Sequence, residues 1–127
     1  MRDKVIRVLI VDDHPQVRRG LSVFLELWDD LKLVGEAENG KQALELVPKL
    51  HPDVILMDLV MPVMDGVKAT RMIRQTFPDV QIVVLTSTVD FELVKEALKA
   101  GAHSYMFKAV SIDQMAESIR AAAHHPL

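Results

Sequence analysis

Apolar runs that alternate with helix-like segments dominate the pattern of hydrophobic and polar positions along this chain. Three short stretches are nearly continuous in apolar residues, which is typical of strands buried on both faces: Ile6–Val11, Val54–Met57 and Ile82–Leu85. Two further strands are predicted at Leu31–Ala37 and Ser104–Phe107. Between and after them, apolar residues recur at helical spacing. The helices are predicted at about Pro15–Trp28, Lys41–Leu50, Asp65 or Gly66 to Thr76, Asp90–Ala100 and Ile112–Ala123.

Local signals support several of these helix ends. Pro15 suits a first helical turn, and Asp13 or His14 is the expected cap before it. Gly101 is predicted to end the fourth helix in a left-handed conformation. Ser111 starts a capping-box pattern before the last helix. The stripe of that helix predicted to face the core is Ile112, Met115, Ala116 and Ile119.

Strands that alternate with helices predict an α/β fold with a parallel sheet and helices on both faces. Right-handed crossovers leave few possible topologies. We expect a (βα)5 flavodoxin-like, doubly wound sheet with strand order 2-1-3-4-5. Its switch point then lies between the first and third strands, where ligands of such sheets bind.

Polar side chains follow the predicted strands at the points where the strands end. Asp12 and Asp13 follow the first, Asp58 the third, Thr86 the fourth and Lys108 the fifth. Because the carboxyl ends of parallel strands open on one edge, these residues should meet in one pocket. Carboxylates crowded together repel one another unless a cation intervenes, and Mg²⁺ prefers such oxygen ligands, with Mn²⁺ as a possible substitute. The pocket therefore predicts a divalent metal and a phosphoryl group.

Each of these residues also has a simpler interpretation. Asp13 can be a helix cap, Thr86 a β-branched residue at the end of a strand, and Lys108 a solvated charge. Asp58 can cap a loop, but a carboxylate in this context can also be a nucleophile toward phosphorus. The shared strand edge favours the chemical interpretation, in which a hydroxyl and an ammonium stabilise phosphoryl oxygens.

Composition narrows the classes of function. The 127 residues indicate one domain, with no cysteine for a disulfide or a thiolate metal site. A net charge of −3, without a large basic cluster, argues against DNA binding by this stretch alone. No apolar run approaches a membrane span, and Met1–Lys4 is not a signal peptide, so we expect a cytoplasmic protein. The histidines show no metal-ligand spacing together with carboxylates; they are His14, His51, His103, His124 and His125.

The chain resembles a bacterial response-regulator receiver domain over nearly all 127 residues. The resemblance rests on Val11 to Pro15, Leu56 to Asp58, Met61 to Gly66, Leu85 to Ser87 and Gly101 to Lys108. The Asp-His-Pro sequence and the residues Val17, Arg18, Gly20 and Leu21 further resemble the NarL/FixJ subfamily.

The resemblance implies a role for each matched residue. Asp58 would accept a phosphoryl group from a phosphohistidine of a sensor histidine kinase. Asp13, Asp58 and the backbone carbonyl of Val60 would ligate Mg²⁺, and Asp12 would act largely through a bound water. Lys108 would pair with the phosphoryl group, or with Asp58 before phosphorylation. The two predicted switch residues are Thr86, which would move to the phosphoryl group, and Tyr105, which would then turn inward.

The same resemblance implies an output. Phosphorylation would change the surface of the fourth helix, fifth strand and fifth helix, with a possible homodimer. Subfamily members usually carry a C-terminal helix-turn-helix that binds DNA. We expect residues 1–127 to be a receiver without that output domain, either excised or stand-alone. Neither Val60 nor Thr88, at the two variable positions beside the attacking water, can orient that water, which predicts a long-lived phosphoryl state.

Two other functions stay open at this point. A small aspartyl-phosphate phosphatase uses similar chemistry but usually has a second acid where this chain has Val60. A flavin-binding electron carrier has the same topology but needs a phosphate-binding loop after the first strand. This chain has Asp12, Asp13, His14 and Pro15 there.

Overall fold

The computed structural model describes residues 4–87 and 91–127. Its strands are β1 (Ile6–Val11), β2 (Leu31–Ala37), β3 (Val54–Asp58), β4 (Gln81–Thr86) and β5 (Ser104–Phe107). All neighbouring strands pair in parallel in the order β2-β1-β3-β4-β5. This order confirms the predicted flavodoxin-like sheet, with its switch point between β1 and β3.

Five helices connect or follow these strands within the described residues. They are α1 (Pro15–Leu25), α2 (Gly40–Leu50), α3 (Gly66–Thr76), α4 (Phe91–Ala100) and α5 (Ile112–His124). The predicted first residue of α4, Asp90, lies outside the described residues, as do Thr88 and Met1 to Asp3. The other boundaries agree with the sequence pattern within one residue, except for the end of α1.

Helix α1 ends at Leu25, three residues earlier than the apolar spacing predicted. The N–H of Leu27 bonds to the carbonyl of Phe24, and that of Trp28 to the carbonyl of Leu25. These bonds span three residues instead of four, so the chain tightens into a turn. Trp28 still packs edge-on against Phe24, with 5.3 Å between ring centroids. Trp28 thus contacts the core from a turn that follows the helix, which explains why the apolar pattern in the sequence extends past the end of α1.

The sheet is covered on both faces, which explains why its strands are almost wholly apolar. Helices α2, α3 and α4 pack on one face through residues such as Val47, Ile73 and Ala97. Helices α1 and α5 pack on the other through residues such as Phe24 and Ile119. The central strands β1, β3 and β4 are buried between these two layers except at Arg7, and their polar residues lie at or next to the strand ends.

Two predictions about helix ends are confirmed, and the predicted buried stripe of α5 is wrong at one position. Gly101 has φ of 118°, in the left-handed region, and the Ser111 side chain accepts the N–H of Gln114 at 3.1 Å. Ile112 was expected in the core, but its side chain is 46% exposed because it lies in the first turn, before α5 reaches the sheet. Met115 and Ile119 are buried as predicted.

The described ranges 4–87 and 91–127 include no helix with both the length and the apolar character required to cross a membrane.

Candidate functional site

The carboxyl end of β1 supplies two adjacent carboxylates. The N–H of Asp12 bonds to the carbonyl of Ala37 at 3.0 Å, which extends the pairing with β2 by one residue. Asp12 is consequently buried at 1% exposure, whereas Asp13, one residue further, is partly exposed. The chain then turns into α1 at Pro15, so both carboxylates stay at the sheet edge.

The carboxyl end of β3 supplies the third carboxylate. Asp58 pairs with Leu85 in the β3–β4 register and is 6% exposed. The loop that follows is anchored by the buried side chains of Leu59 and Met61, while Val60 between them is 66% exposed. The N–H of Gly66 returns to the carbonyl of Leu59 at 2.9 Å and closes the loop at the start of α3. The loop is therefore fixed at both ends beside Asp58.

Lys108 brings an ammonium to these carboxylates from the end of β5. Its backbone N–H bonds to the carbonyl of Thr86 at 2.9 Å, which holds the residue beside β4. Its Nζ lies 2.6 Å from Asp12 Oδ2 and 3.6 Å from Asp58 Oδ1. The predicted convergence of Asp12, Asp13, Asp58 and Lys108 is thus observed. The nearer partner of Lys108 is Asp12, and Asp58 is the second.

We call Asp12, Asp13 and Asp58 the acidic cluster. Its charge is not balanced by the single ammonium. Burial and then the charge of Asp12 raise the pKa of Asp58 from 3.8 to about 6, against the opposing effects of Lys108 and a backbone hydrogen bond at Val60. Asp58 is therefore mostly ionised above neutral pH, but its charge is poorly stabilised by the protein alone.

His14 also belongs to this site, which corrects the expectation that no histidine accompanies the carboxylates. Its Nδ1 lies 3.0 Å from Asp12 Oδ1 and 3.2 Å from Asp13 Oδ1. Its backbone N–H also donates to Asp12 Oδ1 at 2.8 Å. Spacing rules did not reveal it because it follows Asp13 directly and turns back toward the pair, instead of sitting one helical turn away.

Arg18 supports the cluster and was not predicted from the sequence. Its Nη1 donates to the backbone carbonyl of Asp12 at 2.6 Å, and its Nε donates to Glu36 Oε1 at 3.2 Å. Glu36 lies on β2, so one guanidinium ties the β1–α1 turn to the neighbouring strand. Because Arg18 lies one turn into α1, the sequence could have indicated its contact with Asp12. Its contact with Glu36 on β2 could not be identified from the sequence.

The two predicted switch residues differ in exposure. Thr86 ends β4 and is 5% exposed. Tyr105 pairs with Val84 in the β4–β5 register and is 41% exposed, with its ring edge-on to Phe107 at 6.1 Å between centroids. Tyr105 thus lies outside the carboxylate pocket, with its ring outward at the edge of the sheet.

The donor atoms at this edge fit a hard divalent cation. Ligand atoms of Asp12, Asp13, His14 and Asp58 all lie within 4.8 Å of one another. Asp13 Oδ1 is buried and accepts no hydrogen bond from the described residues, although His14 Nδ1 lies 3.2 Å away. A buried carboxylate oxygen without a hydrogen bond is costly, and a cation relieves both this cost and the repulsion within the cluster.

Comparison with known proteins agrees with this geometry. Residues 8–120 match the family model described as the response regulator receiver domain. The chain belongs to the response-regulator receiver family. The predicted resemblance to receivers is thereby confirmed, and receivers are parts of signalling proteins.

Similar proteins include regulators and isolated receivers. The chain is 47% identical over 119 residues to the transcriptional regulatory protein LiaR of Bacillus subtilis, which covers 94% of this chain and 56% of LiaR. It is 45% identical to the response regulator VraR of Staphylococcus saprophyticus, over 91% of this chain and 55% of VraR. This receiver therefore spans about half the length of these relatives.

A solved receiver shows the same fold. The signal receiver domain of the response regulator NarL from Mycobacterium tuberculosis superposes with a TM-score of 0.91 at 30% identity, and covers 97% of this chain and 99% of that one. The predicted resemblance to the NarL/FixJ subfamily, which rested on the residues after Asp12, is thus supported by a similar solved structure.

Proposed function

We propose that this receiver is a phosphorylation switch of a two-component system, in which Asp58 accepts a phosphoryl group from a phosphohistidine of a sensor histidine kinase. The observation that carries the proposal is the meeting of three carboxylates from β1 and β3 with the Lys108 ammonium. Nucleophile, metal ligands and a group that neutralises phosphoryl charge are then present at one sheet edge. In receivers of this kind, activity lies in self-catalysed phosphoryl uptake and slow loss, so we do not propose an enzyme that turns over a separate substrate.

The transfer step uses the residues as follows. A carboxylate oxygen of Asp58 forms a bond to phosphorus while the bond from phosphorus to the donor's imidazole nitrogen breaks, and the electron pair leaves with that nitrogen. The Lys108 ammonium then has phosphoryl oxygens as acceptors in addition to Asp12. The Thr86 hydroxyl, at the end of the adjacent strand, donates to another phosphoryl oxygen. Positioning and charge neutralisation supply most of the catalysis in such transfers.

Asp13, Asp58 and the backbone carbonyl of Val60 are the proposed direct ligands of Mg²⁺, with Asp12 acting largely through a water and Mn²⁺ as a possible substitute. When bound, the cation neutralises charge on the carboxylates and on the transferring group. The buried Oδ1 of Asp13, which accepts no hydrogen bond from the described residues, and the raised pKa of Asp58 support this assignment.

The proposed output is a change in the surface of α4, β5 and α5. When Thr86 moves toward the phosphoryl group, space opens beside β4, and Tyr105 turns inward from its exposed position. LiaR is named as a transcriptional regulatory protein, which supports an output on transcription through a helix-turn-helix domain outside residues 1–127. A homodimer on phosphorylation and a cytoplasmic location belong to the same proposal, with direct action on a protein partner as the alternative output.

The phosphoryl group is proposed to be long-lived. Val60, whose side chain is exposed beside Asp58, has no atom that can orient or deprotonate a water. Thr88, the second position named for this role, lies outside the described residues. The same side chain argues against an aspartyl-phosphate phosphatase, since Val60 cannot protonate a leaving group. Loss of the Asp58 phosphoryl group within seconds at neutral pH would contradict this proposal.

The test is phosphoryl uptake from acetyl phosphate with Mg²⁺, followed by intact-protein mass spectrometry. The wild-type chain should gain one phosphoryl group, and Asp58→Ala should abolish the gain because the accepting oxygen is gone. Asp79→Ala, which removes an exposed carboxylate at the opposite end of β4, is the matched control and should take up phosphate like the wild type. Uptake by Asp58→Ala at the wild-type rate would refute the assignment.

A further inference from the structure

We propose that His14 supplies a nitrogen ligand to the metal site, so that this receiver binds borderline cations such as Co²⁺, Ni²⁺ or Zn²⁺ more tightly than carboxylates alone would allow. The inference rests on the metal position of the proposed function and adds a residue that determines cation specificity.

The first observation is the choice of residue at the start of α1. Helices α2, α3 and α5 are each preceded by a capping residue with a short side chain, namely Asn39, Asp65 and Ser111. The side-chain oxygen of each accepts a hydrogen bond from a backbone N–H in the first turn of its helix. Helix α1 begins with His14, whose side chain makes no capping hydrogen bond. Its ring is instead directed at two carboxylates. The imidazole is therefore placed for the acidic cluster and contributes no cap to the helix.

The second observation is the spacing of the donor atoms. Nδ1 of His14 lies 3.0 Å from Asp12 Oδ1 and 3.2 Å from Asp13 Oδ1. An octahedral ion with bonds of about 2.1 Å places neighbouring donors about 3.0 Å apart, and a tetrahedral ion places them about 3.4 Å apart. The distance from His14 to Asp13 matches neighbouring positions of one coordination sphere. The shorter distance from His14 to Asp12 is that of a hydrogen bond, in keeping with the proposed action of Asp12 through a water. Asp58 offers a further oxygen within 4.8 Å.

The third observation concerns the protons and lone pairs. Asp13 Oδ1 is buried and accepts no hydrogen bond from the described residues, so its lone pairs are available to a cation. His14 Nδ1 is the donor in its 3.0 Å hydrogen bond to Asp12 Oδ1, because an ionised carboxylate only accepts, and a bound cation would take the place of that proton while Nε2 carries its own proton. The side chain of His14 is 64% exposed, so water can accept that proton's hydrogen bond.

Cation chemistry then sets the specificity. Mg²⁺ takes oxygen ligands and keeps several waters, so an imidazole adds little to its binding. Imidazole suits Co²⁺, Ni²⁺ and Zn²⁺, which nitrogen ligands bind more tightly than they bind Mn²⁺. A cation of this class held by His14 would occupy the same position as Mg²⁺ and compete with it. The site would then respond to which divalent cation is available.

The experiment compares Mg²⁺ and Co²⁺ on the whole chain. Dissociation constants are measured by calorimetry for the wild type, for His14→Phe and for His14→Asn, which lacks the imidazole but can cap α1 through its amide oxygen. We expect both variants to lose about tenfold or more in Co²⁺ affinity while Mg²⁺ affinity stays within about twofold. In the wild type, Co²⁺ should broaden the His14 ring signals in NMR spectra at the lowest concentrations.

His51→Asn is the matched control. His51 is exposed and has φ of 51°, a conformation that asparagine tolerates, so neither cation should be affected. Equal Co²⁺ affinity in the wild type and both His14 variants, a parallel loss of Mg²⁺ and Co²⁺, or a His14 ring signal that stays sharp would each overturn the inference. Failure of the metal site itself has a different signature, in which Asp13→Asn binds both cations as tightly as the wild type.

Discussion

Two groups of charged side chains lie at opposite ends of the sheet, and they are balanced in different ways. At the amino end, the Arg120 guanidinium donates two hydrogen bonds to the carboxylate of Asp30, from Nε at 2.7 Å and from Nη2 at 3.0 Å. Arg120 also lies 5.7 Å from the centre of the Trp28 ring. At the carboxyl end, three carboxylates of the acidic cluster share one ammonium, that of Lys108. The protein itself neutralises the charge of Asp30, whereas the acidic cluster carries more negative charge than Lys108 can neutralise.

The pKa values of the two groups move in opposite directions. The hydrogen bond from Arg120 lowers the pKa of Asp30, so this pair contributes stability above pH 3.8 that is lost as the pH falls through the lowered value. Burial and Asp12 raise the pKa of Asp58 to about 6. Its ionisation therefore reduces stability as the pH rises from about 4 to 6. The pair of Asp30 and Arg120 therefore stabilises the fold at neutral pH. The acidic cluster destabilises it there, and binding of a cation would reduce that cost.

The sharpest test of this contrast is Asp58→Asn in the absence of divalent metal. Between pH 4 and 6 the folded wild type still holds a proton that the unfolded chain has lost, so its free energy of unfolding decreases with pH. The asparagine variant does not ionise and should be more stable at pH 7.5, by at most about 3 kcal/mol. Urea denaturation of both proteins at pH 4 and 7.5 measures this difference.

The same comparison has two internal controls. The stability difference should be much smaller at pH 4, where Asp58 is protonated in the folded state and only about half ionised in the unfolded chain. Mg²⁺ at pH 7.5 should stabilise the wild type more than the variant, since the full carboxylate set is a better ligand. A variant less stable than the wild type at pH 7.5 without metal would show that the acidic cluster is not strained.

Breaking the pair at the amino end should affect stability alone. Arg120→Met removes the two charge-assisted hydrogen bonds to Asp30, a third to Glu117 and the contact with Trp28, and we expect a loss of about 1 to 2 kcal/mol in the free energy of unfolding. Phosphoryl uptake should be unchanged, because the acidic cluster is at the other end of the sheet. Urea denaturation and the acetyl phosphate assay measure the two effects.

Lys95→Met is the matched control for this variant. Lys95 pairs with Glu92 at 3.7 Å on the exposed surface of α4, and such pairs contribute at most a few tenths of a kcal/mol. If Lys95→Met were as destabilising as Arg120→Met, the bidentate pair would have no special role. If Arg120→Met lowered phosphoryl uptake, the two ends of the sheet would be coupled.

The smallest effect expected is a spectroscopic one: activation should change the surroundings of Tyr105 but not those of Trp28. The chain has one tryptophan and one tyrosine, Trp28 beside Arg120 and Tyr105 on β5. Beryllofluoride with Mg²⁺, which mimics the phosphoryl group, should move the single ¹⁹F signal of fluorotyrosine and leave Trp28 fluorescence nearly constant. Thr86→Val should suppress the ¹⁹F change, because the proposed movement of Tyr105 depends on the hydroxyl. A Trp28 response as large as that of Tyr105 would contradict a change confined to the site end.

The fold was largely predictable because a sheet buried on both faces leaves a strong signature. Runs such as Ile82–Leu85 admit no polar residue, and capping residues such as Ser111 mark where helices begin. The errors have local causes. Trp28 contacts the core from a turn and extended the apparent period of α1, and Ile112 follows the period but precedes the part of α5 that contacts the sheet.

The site was predictable in its residues but less so in its pairings. Topology alone brings Asp12, Asp58 and Lys108 to one edge, since they lie at the carboxyl ends of strands in one parallel sheet, and those ends all open on the same side. Which carboxylate is nearest to Lys108 depends on side-chain geometry that no strand pattern encodes. The contact of Arg18 with Glu36 joins residues on different elements, and the direction of the His14 ring depends on the turn before Pro15.

One glycine limits how this loop can change in evolution or in the laboratory. A Cβ at position 66 would overlap the main-chain oxygen of Asp58 and press on Leu59. Every missense codon at this position adds such an atom, so none can be accommodated without displacing the residue proposed to carry the phosphoryl group. Libraries that diversify the segment after β3 should therefore leave position 66 unaltered.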